Sequence, residues 1–472
     1  MAGNSWFNHN ECLQSCALAG AAAMAAGITD AYIVANGPTW CYFYAMKVTD
    51  RPGLNLGQRF LCTYPSNGAI VFGTEKELLQ TLADLTKLPK APGLVLVENS
   101  CAFSLIGDDL SSIVSESDLT CPILTMDSGG TLGDFWAGYR KALLDLLKLV
   151  DFQNVEKSAD TKKNSKVHNE ECGQENGNDR MTKSQYTVNL IGCSVTYYNE
   201  IDDLAELERL LKIVGIDVNL ILAVNHNMAD LKCLSQADLN VVIHPELSHE
   251  VAEWLLKKLA MPYIEPVLPY GLEGTLTWAH EIVTALMKQA HAAGSQADES
   301  DTLTKSDDRD EAQIEIRLKP LTDLIQSEKA RQFERTKEIQ RLCGEPWFDS
   351  VLVSAPSSVV RGMERALNDE WLDAGQFTYV VHDDSKSNPD YYSYVQGHDW
   401  QAALQTGENG LLLGSDQERR LCVPDKHIAY QTISNPEPAE IVLAERPFMG
   451  IRGHRHMQEI IWNLYIHSLE NG

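Results

Sequence analysis

The stretch Gly93-Leu94-Val95-Leu96-Val97-Glu98 decides the fold class. A near-continuous apolar run of this length reads as a strand buried on both faces, which is the signature of a parallel sheet covered by helices. It leads into Cys101 and a helical pattern near Leu105 to Val114. On its amino-terminal side, Ala69 to Phe72 reads as a further strand. Thr74 with Glu77 then makes a capping box for a helix through Leu78, Leu79, Leu82 and Leu85. Ala31 to Ala35 is a strand that runs into the turn Asn36-Gly37-Pro38. Before it, Leu13 to Ala26 is a Pro-free, Ala- and Leu-rich helix that stops at Gly27, as a glycine C-cap would. On the carboxyl side, Pro122 to Met126 is a strand, Ser128-Gly129-Gly130 a loop, and Asp134 to Val150 an amphipathic helix. Such alternation predicts a doubly wound α/β unit.

The pattern recurs twice. Asn154 to Gln185 is almost devoid of apolar residues and reads as a solvated insertion. A second block starts at Val188, with strands Val188 to Ile191, Val218 to Ala223 and Leu239 to Ile243, and helices Ile201 to Val214 and Glu250 to Leu259. The polar stretch Gly294 to Glu311 closes it. A helix through Leu321, Leu324 and Ile325 to Leu342 then opens a third unit with strands Ser350 to Val353, Thr378 to Val381 and Gly410 to Leu413. At 472 residues the chain is too long for one ordinary core. The expected architecture is therefore α/β, with three Rossmann-like lobes of mostly parallel sheets and helices on both faces. The first lobe spans 1–153, a polar insertion 154–187, the second lobe 188–293, an acidic linker 294–312 and the third lobe 313–472. Clefts between such lobes, at the carboxyl ends of strands, are where these folds place ligands.

Composition narrows the function. A formal net charge of −27 repels a phosphate backbone and argues against nucleic acid as a partner. No stretch reaches the roughly 20 apolar residues of a membrane span, and Met1 to Glu11 has neither a basic start nor an apolar run. A cytoplasmic protein is the expectation. There the eleven cysteines stay reduced, which leaves buried thiols and metal ligands as their roles.

Three of those cysteines share a kind of position. Cys16 lies in the opening helix, while Cys41 and Cys101 each follow a strand by a few residues. Strand ends of one sheet lie side by side, so the three thiols can converge if the Cys16 helix packs across that edge. The residues alone leave two readings open: small buried hydrophobes, or thiolate ligands of a metal centre. An iron–sulfur cubane takes four ligands and this set supplies three, so a partner chain would bring the fourth.

The runs Cys16-Ala17-Leu18-Ala19-Gly20-Ala21, Gly37-Pro38-Thr39-Trp40-Cys41 and Cys101-Ala102-Phe103-Ser104-Leu105-Ile106-Gly107-Asp108-Asp109-Leu110 resemble, in order and spacing, the three cluster-ligand motifs of nitrogenase component 1 and its relatives. Val71-Phe72-Gly73 resembles the segment between the second and third of them. The resemblance implies that Cys16, Cys41 and Cys101 bind an iron–sulfur cluster of four or more irons, shared with a homologous second subunit in a homo- or hetero-oligomer, a dimer of dimers. It further implies a two-component reductase whose ATP-dependent iron–sulfur donor protein passes electrons through that cluster to a substrate between lobes. A scaffold for iron–sulfur cofactor assembly and transfer is the alternative. Asn240 to Glu265 and Arg446 to Gly453 resemble later family segments but depart from them. His244 stands where the component 1 alpha chain has its cofactor-anchoring cysteine, and Met449 where it has the cofactor's histidine, which is not a ligand set for the same cofactor.

Lesser features complete the reading. Trp40 replaces a usual glycine before the second cysteine. Cys12 lies one helical turn from Cys16, as a packing residue or spare ligand. Ser128-Gly129-Gly130 is a tight loop or an anion cradle, and His454-Arg455-His456 a solvated helix start or, less readily, a metal site. His244, with His249 nearby, is either a satisfied structural histidine or the candidate catalytic proton donor of the cleft.

Overall fold

The computed structural model describes residues 15–51, 53–130, 133–152, 186–294, 303–383, 391–393, 409–422, 428–435 and 443–471. Within them lie three parallel sheets, each flanked by helices. In the first, β1 (Ala31–Asn36), β2 (Phe60–Cys62), β3 (Leu94–Asn99) and β4 (Ile123–Asp127) are ordered β2-β1-β3-β4. The second contains β5 (Tyr186–Ile191), β6 (Ile216–Ile221), β7 (Leu239–Val242) and β8 (Tyr263–Ile264), ordered β6-β5-β7-β8. In the third, the order is β13-β12-β10-β14-β15, from β10 (Ser350–Ala355), β12 (Phe377–Val381), β13 (Tyr392–Ser393), β14 (Gly410–Gly414) and β15 (Ile428–Thr432). A short parallel ribbon joins β9 (Trp347–Phe348) to β11 (Asp373–Ala374). The expected α/β class with helix-covered parallel sheets is the observed one, and every residue of β3 is buried, as its apolar run required.

The Ala17–Ala26 helix explains its own composition, since all ten residues are buried. It packs against the Phe135–Leu149 helix so closely that a Cβ on Gly20 would lie 1.9 Å from the Phe135 carbonyl oxygen, and one on Gly138 would lie 2.0 Å from that of Ala17. No side chain fits there. One apolar core runs from this helix pair through the second and third sheets to the carboxyl-terminal Gly450–Asn471 helix. A smaller core covers the other face of the first sheet, with Val34, Val95 and Val97 against Leu78, Leu82 and Leu110.

Several local expectations differ from the structure. Ala69–Phe72 is a four-residue helical turn, not a strand. The sheet position beside β1 belongs to Phe60–Cys62, paired in register with Ile33, Val34 and Ala35. The capping box is not formed: Thr74 Oγ1 donates to Asp108 Oδ2 at 2.6 Å and Glu77 accepts from the Ser66 hydroxyl. The helix expected near Leu105 to Val114 is two, Cys101–Ile106 and Leu110–Ser115, broken where Gly107 adopts φ 88°. The helix at the chain's start begins at Ala17, leaving Cys16 extended as its N-cap. The helix reaching Cys343 starts at Leu303, inside the stretch read as an acidic linker. Most of the polar insertion and Cys12 lie outside the described residues.

Candidate functional site

The carboxyl edge of the first sheet gathers the three cysteines, and each sits in the first turn of a helix. After Asn36 the chain turns through Gly37-Pro38 into the Thr39–Thr49 helix, which carries Cys41. After Asn99, Ser100 caps the Cys101–Ile106 helix, which Cys101 opens. Cys16 caps the Ala17–Ala26 helix and pairs in an isolated antiparallel bridge with Asp134, the N-cap of the Phe135–Leu149 helix. Helix amino termini carry partial positive charge, which favours thiolate.

The thiols are close enough to feel each other. Burial pushes the Cys41 thiol up, and the charges of Cys16, Cys101 and Cys62 push it further. Burial likewise raises Cys16, against the pull of the Ala19 and Leu18 backbone N–H groups. Cys16 and Cys41 therefore resist ionisation until a cation compensates them. All three are only partly buried. Among the described residues no three His, Cys, Asp or Glu side chains close on a single metal ion.

The surrounding sequence motifs build this edge. The Gly130 N–H donates to Cys101 Sγ at 3.0 Å, and a Cβ on Gly129 would approach the Cys101 Cα to 2.9 Å. The Ser128-Gly129-Gly130 loop thus closes over a cysteine. Asp108 accepts from Thr74 N–H (2.9 Å), and Asp109 caps the next helix through Ser112 N–H (3.1 Å). Behind them Asn36 donates to Thr74 (2.7 Å) and to Asn99 (2.8 Å), tying β1 to β3 where the cysteines leave the sheet. Glu98, fully buried, has one oxygen bonded to Ser128 at 3.1 Å and the other unpartnered, and burial raises its pKa well above the carboxylate range. Outside the thiols the surface is apolar: Phe72 is 89% exposed, Leu105 78% and Trp40 68%. Patches of this kind mark protein–protein contact.

A second feature lies between the lobes, a cavity of ≈ 70 Å³ walled by Trp136, Tyr197, Glu200, His244, Val359 and Met449. His244 is 1% exposed, with Nε2 at 2.9 Å from Glu200 Oε2 and Nδ1 at 2.7 Å from Ser358 Oγ. Burial alone would lower its pKa, but the Glu200 and Glu246 carboxylates outweigh it and raise it. Burial pushes Glu246 up to about 7 and Asp203 up to about 8. Met449 is buried at 2%, its N–H donating to Asp203 Oδ1 at 2.8 Å. His249 is exposed and paired with Glu265 at 2.6 Å, outside the cavity wall. The His454 segment is not a solvated helix start. His454 is 2% exposed between Trp371 and Gln332, Arg455 forms a two-pronged pair with Glu328, and His456 stacks on Phe448. The sequence reading missed Glu200, Asp203 and Glu246, which lie in the first turns of helices, where acids are ordinarily solvated. It also missed Cys62, which ends the unforeseen β2 beside Cys41.

The family model described as nitrogenase component 1 type oxidoreductase matches residues 16–314, beginning at the first of the three cysteines. The chain belongs to that family. Its curated relatives include one of the subunits of light-independent protochlorophyllide reductase. The one from Synechococcus sp. (strain CC9902) is 28% identical over 193 residues, covering 40% of this chain and 33% of the relative. Its counterpart from Synechococcus sp. (strain JA-3-3Ab) is 24% identical over 398 residues, covering 80% of this chain and 68% of the relative. The chain spans about a third of the length of the first relatives it matches. The solved structure described as nitrogenase Cp1 at pH 5 superposes with a TM-score of 0.66 at 17% identity, covering 97% of this chain and 89% of that one, a likeness of fold. Among the described residues no helix of this nitrogenase component 1 type chain is long and apolar enough to cross a membrane.

Proposed function

We propose that the chain is a cytoplasmic subunit of a nitrogenase-like two-component reductase, taking electrons from an ATP-dependent iron–sulfur donor protein. In this reading Cys16, Cys41 and Cys101 hold an iron–sulfur cluster of four or more irons, shared with a homologous second subunit in a dimer of dimers. The observation that carries the reading is the convergence of three partly exposed thiols at one sheet edge, inside an apolar surface. The donor set suits such a group: thiolates are its protein ligands, and hydrogen bonds to their sulfurs tune it. When bound, the cluster supplies one-electron transfer. The chain's residues position the thiols through three helix starts and offer the Gly130 N–H to Cys101. The apolar rim is where a second subunit would bring the missing ligand and exclude water.

A substrate as large as protochlorophyllide, the molecule named for the relatives, needs several hundred cubic ångströms. The inter-lobe cavity of ≈ 70 Å³ is far smaller. A large substrate would therefore occupy a cleft completed by the second subunit. The test is iron analysis of anaerobically purified complex. Several irons per chain are expected, with loss of iron and colour in Cys41→Ala. Unchanged iron in a variant lacking all three cysteines refutes the assignment.

A further inference from the structure

A fourth thiol stands at the edge that gathers Cys16, Cys41 and Cys101. β2, β1 and β3 are neighbours in the first sheet, and a cysteine ends or follows each of them. Cys41 lies just beyond β1 and Cys101 just beyond β3, while Cys62 is the last residue of β2, in register with Ala35. Gly37, the first residue after β1, connects them. Its carbonyl accepts from Cys62 Sγ at 3.4 Å, and a Cβ on it would lie 2.5 Å from the Oγ of Ser100, which caps the Cys101–Ile106 helix. Pro38, next in the turn, takes the Cys41 N–H on its carbonyl at 3.0 Å. The Cys62 thiol is thus bonded to the turn that launches Cys41, and its charge reaches the Cys41 thiol.

Cys62 shares a second trait with two of the other three, a backbone N–H turned to its sulfur. Cys101 has that of Gly130, Cys16 those of Leu18 and Ala19, and Cys62 that of Tyr64. Tyr64 reaches its place at φ 47°, a left-handed conformation rare for a bulky residue. Hydrogen bonds to sulfur favour the thiolate and tune it as an iron ligand. Beside Gly37, the Ser100 hydroxyl is 1% exposed and has no hydrogen-bond partner among the described residues. Leaving it so is costly, and a sulfide or thiolate brought to this edge would accept its proton. What separates Cys62 from the other three is depth. It is 6% exposed, whereas Cys16, Cys41 and Cys101 are partly exposed.

We propose that Cys62 is a stand-in ligand: before assembly it supplies the fourth thiolate of the iron–sulfur cluster, and it yields that place when the second subunit brings its own ligand. The inference rests on the reductase reading, which assigns the other three thiolates. A cubane held by three thiolates leaves one iron open to water and chelators. Closing it forms an S–Fe bond as the Cys62 S–H bond breaks, the proton passing to solvent and the Gly37 carbonyl losing its donor. On assembly the S–Fe bond breaks, the incoming ligand bonds the same iron, and Cys62 takes a proton back from solvent and recovers its bond to Gly37. No electron changes hands, so neither oxidant nor reductant is needed.

Iron release from the full chain tests this, with the chain produced alone and produced with its second subunit. Both forms are purified anaerobically, the lone chain is loaded with ferrous iron and sulfide, and loss of iron to a ferrous chelator is timed. Cys62→Ala should speed that loss in the lone chain by at least about tenfold, as removal of even an outer partner of a metal ligand does, and leave the complex unchanged. Cys62→Ser, which keeps the size and offers oxygen in place of sulfur, should shift the visible absorption of the loaded lone chain, a signature that a packing role would not give. Cys121→Ala, whose thiol lies at the opposite end of the sheet just before β4, is the control and should match wild type in both forms. Equal rates for Cys62→Ala and wild type in the lone chain overturn the proposal. Equal acceleration in the complex overturns it too, since Cys62 would then be a permanent ligand. If Cys62→Ala does not fold, the serine variant decides, and an unshifted absorption refutes the stand-in. A lone chain that takes up no iron beside an iron-replete complex refutes the stand-in alone, whereas an iron-free complex refutes the reductase reading as well.

Discussion

Gly138→Ala tests whether the helix pair beneath Cys16 sets the thiol edge. The new Cβ would lie 2.0 Å from the Ala17 carbonyl oxygen, 2.5 Å from its Cα and 2.6 Å from its carbonyl carbon. Those are backbone atoms, so no rotamer change relieves the contact. Restoring ordinary separation moves the Ala17–Ala26 helix by at least about 1 Å, as overpacking of a tight core does. Overpacking costs about 1–3 kcal/mol, and the better helix propensity of alanine returns about 1 kcal/mol. The net expectation is a loss of up to about 2 kcal/mol, seen as a lowered denaturation midpoint. The shift also carries Ala17, whose N–H bonds the Gly133 carbonyl at 3.1 Å, and with it Cys16, so iron content should fall. Gly274→Ala is the control: it is helical, its new Cβ meets nothing nearer than 3.7 Å, and it should stabilise by up to about 1 kcal/mol. Equal stability of Gly138→Ala and wild type, with full iron, would show that the helix contact does not position the cysteine.

Three further outcomes are expected. Tyr139, fully buried, donates to the Cys193 carbonyl at 2.5 Å, so Tyr139→Phe should cost about 1–2 kcal/mol in a denaturant titration. Asp203, raised to about 8 chiefly by burial, keeps in the native state a proton that the unfolded chain releases near pH 4; stability should fall as pH rises through that window, and Asp203→Asn should flatten the slope. Phe72 is 89% exposed, so Phe72→Glu should leave thermal stability within about 0.5 kcal/mol yet dissociate the complex on size-exclusion chromatography.

The parts of the fold legible in the sequence were those whose burial follows from local pattern. Leu94–Asn99 is buried on both faces, and its apolar run says so. Phe60–Cys62 was not legible, because three residues carry no period and become a strand only by pairing with Ile33 to Ala35. Ala69–Phe72 was misread for the complementary reason: a short apolar run does not distinguish strand from helix. The positions of Cys41 and Cys101 could be read from their spacing to strand ends, whereas Cys16, read inside a helix, stands extended before it. The buried carboxylates Glu200 and Glu246 could not, since they sit in first turns where acids are ordinarily solvated. What buries them is a distant partner: Ser358 is separated by 112 residues from Glu246, whose carboxylate it bonds.

The cysteine edge and the cavity are mechanically one construction. The Phe135–Leu149 helix starts at Asp134, bridged to Cys16. Its second residue, Trp136, lines the cavity and donates to Tyr197 at 2.8 Å. Asp134, the backbone partner of Cys16, is thus followed directly by Phe135 and Trp136 of the cavity wall, on a helix held against Ala17–Ala26 at side-chain-free distance. A displacement at either end must be felt at the other, because close-packed helices move as units. In the cavity His244 spends both ring nitrogens on Glu200 and Ser358, and Met449 is sealed in the core. Both therefore contribute to holding the second and third sheets together around the cavity they line.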